Sequence, residues 1–221
     1  KVRQEAIAPE IPSMVRRHFS GIAKPGPVDF LNSCIHPFVG EFLSKLTDVP
    51  TDLDVSLVSR IFSRNLGVSR RCEMQQQLRM ARDALTQRFP DDDEEATGER
   101  LALFVLGRDA FTGTLARSLH HTLEKTGNRL LCDCEPALRP TRTGVPFIDR
   151  QAIRDNSIGG REYSKGDVVR CPLQNLEQGS NPDRLRFFGK GTHVCLGRSA
   201  SLLAFEALGR FLASLPVRIS R

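Results

Sequence analysis

The hydrophobic pattern of this 221-residue chain changes its period, and that change limits the fold more than any other feature. From about residue 12 to about residue 139, apolar residues recur at three- and four-residue spacing, the stripe of an amphipathic helix. In PVDFLNSCIHPFVGEFLSKLTDVP the stripe is Phe30, Leu31, Ile35, Phe38, Phe42, Leu43 and Leu46, and Pro37 predicts a division into two helices. TDLDVSLVSRIFSRNLG reads as a helix capped at Thr51 or Asp52 and stopped at Gly67. CEMQQQLRMARDALTQRF is a helix on propensity alone, and PDDDEEATG reads as an acidic solvated turn. ERLALFVLGRDAFTGTLARSLHHTLEK predicts the longest apolar helix, from about Glu99 to Lys125. The period then shortens. VPFIDRQAIRDNSIGGREYSKGDVVRCPLQ has β-branched residues with Gly-Gly and Lys-Gly turns, which predicts small antiparallel strands. After the loop NLEQGSNPDRLR, a last amphipathic helix turns Leu202, Leu203, Phe205, Leu208, Phe211, Leu212 and Leu215 inward. The expected fold class is mainly α with small antiparallel β segments.

Charge and cysteine usage narrow the setting. With 32 Lys and Arg against 26 Asp and Glu, the net charge of +6 favours an acidic partner. One Tyr and no Trp leave few platforms for base stacking, so no nucleic acid is expected. No apolar run approaches the roughly 20 residues that span a bilayer, so no membrane span is expected. The six cysteines (Cys34, Cys72, Cys132, Cys134, Cys171 and Cys195) are too sparse and irregular for a disulfide scaffold. Cys132 and Cys134 form a C-x-C with no second pair at zinc-ligand spacing. The expected location is the reducing cytoplasm.

The densest chemistry lies in FFGKGTHVCLGRSAS, residues 187–201. Cys195 sits at the mouth of the last helix, where the dipole and free backbone N–H groups favour a thiolate. Glycines 189, 191 and 197 let the backbone wrap around the sulfur and let a flat ligand approach. His193 is placed to donate to an anionic group on that ligand. A thiolate with room for a planar cofactor is what heme iron takes from an axial cysteine; the bland alternative is a buried structural Cys in a Gly turn.

FGKGTHVCLG resembles the heme-binding loop of the cytochrome P-450 family, matching it at Phe188, Gly189, Gly191, His193, Cys195 and Gly197. The resemblance extends to VDFLNSCIHPFVGEFLSKLTDVP, similar to the family's paired mid-domain helices, and to LALFVLGRDAFTG, similar to its central helix on the distal face of the heme. It also covers PFIDRQAIRD with the strands that follow, where Arg150 matches a propionate-holding position. It implies a P-450-like fold over residues 1–221, with a helical part at 12–139, a β region at 145–174, and the Cys loop with proximal helix at 186–215. It implies that the family's N-terminal β domain is missing. It further implies heme b, that is iron protoporphyrin IX, bound through Cys195, with His193 and Arg150 on the propionates and Gly107, Asp109 and Ala110 at the distal pocket. A bacterial-type monooxygenase or peroxygenase acting on a small organic substrate follows from the resemblance, with ferredoxin and ferredoxin reductase as partners.

The sequence departs from that family in two motifs. The E-x-x-R of the family's K helix falls in CEPALRP, where Arg139 is in place, Pro136 holds the Glu position and Glu135 is one residue early, about 100° away on a helix. The acid–Thr pair that relays protons to bound dioxygen is here Asp109 followed by Ala110. Thr112 and Thr114 are nearby hydroxyls off that position, and Arg108 is placed to bind an anion or neutralise Asp109. His120 and His121 fall too far along the helix to reach the iron, and Arg16, Arg17 and His18 read equally as a remnant propionate-binding helix or a basic surface turn. The readings left open are an oxygenase or peroxygenase, a P-450-type isomerase or dehydratase needing no external electrons, a non-catalytic heme-binding subunit, and a heme-free scaffold.

Overall fold

The computed structural model describes residues 4–50, 60, 65–134, 138–178 and 185–218. Most of the helix expected at 51–67, and the Glu135–Pro136 step, lie outside the described residues. In chain order the helices are α1 (Gln4–Ile7), α2 (Ile11–Phe19), α3 (His36–Thr47), α4 (Val68–Arg88), α5 (Glu94–Thr126), α6 (Leu131–Cys134) and α7 (Arg198–Ala213). Between α6 and α7 lie β1 (Phe147–Gln151), β2 (Asn156–Ile158), β3 (Arg161–Tyr163) and β4 (Val168–Pro172).

Helices α2, α3, α5 and α7 share one core, held by a run of five phenylalanine rings. Phe19 on α2 meets Phe38 at 5.6 Å, Phe38 meets Phe42 on the same α3 at 5.8 Å, Phe42 meets Phe111 on α5 at 5.3 Å, and Phe111 meets Phe205 on α7 at 6.2 Å. Each such pair adds about 0.5–1.5 kcal/mol beyond the area it buries, so the run fixes the mutual depth of the four helices. On α7, Phe205, Leu208 and Leu212 are buried as the stripe predicts, and Leu215 is buried just past the helix end. Helix α4 is different: it buries only Met74, Ala81 and Leu85 and relies on the helix-forming residues along its exposed faces.

Two expectations are corrected. Pro37 does not divide its segment. Residues Phe30–Ile35 form a π-type turn that runs directly into α3, with Ile35 and His36 both in helical backbone conformation and Pro37 in the first turn of α3. The wide turn carries its bonding up to the His36 N–H, which donates to the Leu31 carbonyl, and Pro37, with φ fixed at a helical value, follows without breaking the path. The acidic run is also not a turn throughout. Asp93 caps α5, its carboxylate accepting from the Ala96 N–H at 2.8 Å, and Glu94 and Glu95 form the first turn. Acids there are favoured by the helix dipole, and the helix starts at Glu94, five residues before the expected Glu99.

The β segments form as expected. β1 pairs antiparallel with β4 from Phe147↔Pro172 to Gln151↔Val168, and β2 and β3 form a hairpin around Gly159 and Gly160, both at positive φ. None of these strands enters the helical core. Among the described residues, no helix is long and apolar enough to cross a membrane, and no group of three or more His, Cys, Asp or Glu is placed to hold a metal ion.

Candidate functional site

A cavity of roughly 350 Å³ lies where α3, α5, the β1–β4 pair and the Cys195 loop converge. That is within the 300–1,000 Å³ range of cofactor and small-ligand sites. Helix α5 contributes Leu103, Gly107, Ala110, Phe111 and Thr114, one face at three- and four-residue spacing. Helix α3 contributes Phe42, Leu43 and Leu46, and the sheet side contributes Thr143, Val145, Ile148, Arg150, Cys171 and Leu173. The loop contributes Arg186, Phe188, Gly189, His193, Cys195 and Gly197. Among the described lining residues none is acidic, whereas Arg150, Arg186 and His193 carry or can carry positive charge.

The loop is folded back on itself by backbone hydrogen bonds. The Gly189 N–H donates to the Arg186 carbonyl at 2.8 Å, and the Cys195 N–H donates to the Phe188 carbonyl at 2.6 Å. Gly189 has φ +83°, and a Cβ there would collide with the His193 carbonyl. Gly191 also has a positive φ, +62°, but faces open space and does not line the cavity. Gly197 packs beside the sulfur: a Cβ there would make ordinary contact with Leu103 Cδ1 at 3.4 Å and Cys195 Sγ at 3.8 Å. Gly107 faces α3, where a Cβ would make ordinary contact with Leu43 Cδ2 at 3.4 Å.

The expected site residues divide by helix phase and loop path. Gly107, Ala110, Arg150, Phe188, Gly189, His193, Cys195 and Gly197 share the cavity; Asp109 and Gly191 do not. Asp109 is exposed, because two residues from Gly107 is about 200° around the helix. The Thr114 hydroxyl donates to the Ala110 carbonyl at 2.7 Å and accepts from the Gly144 N–H at 2.8 Å. Thr112 is buried on another face with its hydroxyl unpartnered. Arg17 and His18 lie away from the cavity and hold Glu41, at 2.5 and 2.6 Å. Burial alone would raise the Glu41 carboxyl, but those two hydrogen bonds outweigh it and keep it below the ordinary 4.5. His120 is exposed beside Glu124, and Arg139 is exposed. Arg186, Cys171 and Thr143 were missed by the sequence reading; each reaches the cavity through tertiary placement that no local motif records.

The residues fit a planar, dianionic iron macrocycle. They offer two thiols, of which that of Cys195 stands beside Gly197, apolar walls from α3 and α5, and the basic side chains Arg150 and His193. A soft thiolate ligand and charged partners for two carboxylates are what such a group requires.

No family model matches the chain. YjiB of Bacillus subtilis strain 168, which bears a cytochrome P-450 name, is 27% identical across 56% of this chain and 39% of its own length. Three similar solved structures extend the likeness. The LnmA cytochrome P-450 hydroxylase of the leinamycin pathway of Streptomyces atroolivaceus S-140 has TM-score 0.69 and 18% identity, covering 95% of this chain and 66% of its own. CYP109E1 of Bacillus megaterium, in complex with corticosterone, has TM-score 0.70 and 14% identity, covering 95% and 70%. P450BioI, in complex with an acyl carrier protein carrying hexadec-9Z-enoic acid, has TM-score 0.72 and 16% identity, covering 95% and 67%. The chain thus spans about two thirds of these folds, and its match to YjiB spans about two fifths of that relative.

Proposed function

We propose that this chain, a cytochrome P-450 family member spanning part of the family's length, is a heme-thiolate oxidoreductase for a small organic substrate, working as a monooxygenase or peroxygenase. The observation that carries the reading is the cavity shared by Cys195, the Gly107–Ala110 face of α5, Arg150 and His193. Cys195 is the iron ligand, presented at the start of α7 by a loop closed on the Phe188 carbonyl. Arg150 and His193 pair with the two carboxylates of heme b. Bound heme supplies the oxidising chemistry, and the protein orients and insulates it. Phe42, Leu43, Gly107, Ala110 and Phe111 form the apolar wall that excludes water and seats the substrate.

Proton supply separates the two oxygenase readings. Ala110 has no hydroxyl, Thr114's is committed at both its donor and acceptor sides, and Asp109 faces away. With no acid among the described lining residues, peroxide, which carries its own protons, suits this cavity better than dioxygen and electrons. The same features support the second reading, a heme-binding subunit without turnover. The net charge of +6 suits an acidic ferredoxin as electron donor.

The test is the absorbance spectrum of the reduced protein under carbon monoxide, for wild type and Cys195→Ser, followed by turnover with peroxide or with ferredoxin, ferredoxin reductase and NADPH. The wild type shows the strongly red-shifted Soret band of thiolate ligation and Cys195→Ser loses it. Retention of the band in Cys195→Ser defeats the reading. Full heme loading without turnover under either regime selects the non-catalytic subunit.

A further inference from the structure

The Glu177 carboxylate is buried outside the cavity, at 7% exposure, and no step of the proposed chemistry uses it. One oxygen accepts from the Thr143 N–H at 2.9 Å and from Arg117 Nη1 at 3.0 Å; the other accepts from Arg142 Nη1 at 3.1 Å. The segment it grips, residues 141–145, is held from the other side by α5. The Ser118 hydroxyl accepts from the N–H groups of Thr141 and Arg142, both at 3.1 Å, Arg117 also donates to the Thr143 carbonyl, and Thr114 takes the Gly144 N–H. Gly144 lies so close to α5 that a Cβ on Gly113 would stand 2.8 Å from its Cα. Thr143 and Val145, from this same segment, line the cavity, and β1 with Arg150 follows directly.

We propose that Glu177 is the positioning residue of the cavity wall: its carboxylate draws Arg117, Arg142 and the Thr143 N–H onto one centre and locks residues 141–145 against α5. The two arginines match a buried carboxylate through charge-assisted bonds, which are about twice as strong as neutral ones. Removing the charge takes from both arginines the anion they share and leaves Arg117 held to the segment through the Thr143 carbonyl, so the segment opens locally more often. This deepens the heme reading and rests on it only for the ligand.

The experiment compares wild type, Glu177→Gln and Arg142→Gln as full chains. It measures amide hydrogen exchange by peptide without hemin, and hemin affinity by titration. Glu177→Gln raises exchange across residues 141–145 by about tenfold or more and weakens hemin binding by a similar factor, with exchange in α3 and α5 unchanged; Arg142→Gln moves the same peptide less. A general structural role would instead raise exchange throughout the core. Should Glu177→Gln not fold, the Arg142→Gln peptide decides. Unchanged exchange at 141–145, or a rise spread evenly over the chain, overturns the proposal. Failure of the wild type to take hemin counts against the heme reading and leaves the exchange result to judge the clamp.

Discussion

Two glycines in the Cys loop look alike in sequence and differ in structure, so substituting each with alanine tests whether the loop is folded as described. Both have positive φ, +83° at Gly189 and +62° at Gly191. Alanine in that region costs roughly 1–2 kcal/mol at either site. At Gly191 the cost ends there, since a Cβ meets nothing within 4 Å. At Gly189 the Cβ collides with the backbone carbonyl of His193, which has no flexible end to give way. Relief requires opening the loop closed by the Gly189 N–H to Arg186 and the Cys195 N–H to Phe188, at 2.8 and 2.6 Å. Each of those bonds is worth about 0.5–1.5 kcal/mol net, so Gly189→Ala costs about 2–5 kcal/mol in total. The excess over Gly191→Ala, about 1–3 kcal/mol, is a factor of roughly 5 to 150 in the population of the closed loop. Hemin titration reads this as weaker affinity, and a thermal melt reports whether the helical core survives in both variants. Equal hemin affinities for the two variants would refute the loop geometry.

Three further outcomes are expected. Arg150→Ala and His193→Ala each lower heme occupancy after gel filtration, and the double variant loses more than either, because charged hydrogen bonds are worth up to about 1.5–3 kcal/mol and both side chains reach the cavity; equal occupancy in the double variant would show that neither holds a carboxylate. Gly144→Ala places a Cβ 2.6 Å from the Thr114 backbone N and against the Ala110 carbonyl, so it destabilises the chain by about 1–3 kcal/mol in a denaturant titration. Ala110→Thr adds a hydroxyl to the cavity wall without an acid behind it, so peroxide remains the better oxidant; a large gain in product per NADPH would show instead that Asp109 reaches the cavity.

Much of the architecture was legible because it is local. The stripe in PVDFLNSCIHPFVGEFLSKLTDVP, the Gly159–Gly160 hairpin and the last helix each carry their own period and turn chemistry. The errors lie where a local rule has two readings. The Asp-rich run before α5 reads as solvated turn by composition, yet Asp93 is a cap and the acids after it form a first turn. Pro37 reads as a breaker, yet the π-type turn before it runs on into α3, where a φ fixed at a helical value is tolerated. Asp109 is a different case: the motif resemblance implies it at the distal pocket, while the helical phase of Gly107, Ala110, Phe111 and Thr114 leaves it off the cavity lining. Cys171, Arg186 and Glu177 had no legible signal: each stands in an unremarkable stretch and gains its position from segments brought alongside it by the fold.

Helix α5 has two tasks, and its sequence favours one of them. Thr114, Arg117 and Ser118 lie on successive positions around the turn that faces residues 141–145, and all three give their polar atoms to that segment. The cavity wall gains a fixed backbone from this, with Thr143 closing its own turn by donating to the Val145 carbonyl at 3.0 Å. The same commitment withdraws the Thr114 hydroxyl from exchange with a ligand, since both its donor and an acceptor site are filled. One turn earlier, Ala110 offers only a methyl group, and its carbonyl is already taken by Thr114. Helix α5 therefore presents to the cavity a rigid, apolar surface that excludes water well and moves protons poorly. A reaction that brings its own protons, or needs none, is the chemistry such a surface can support.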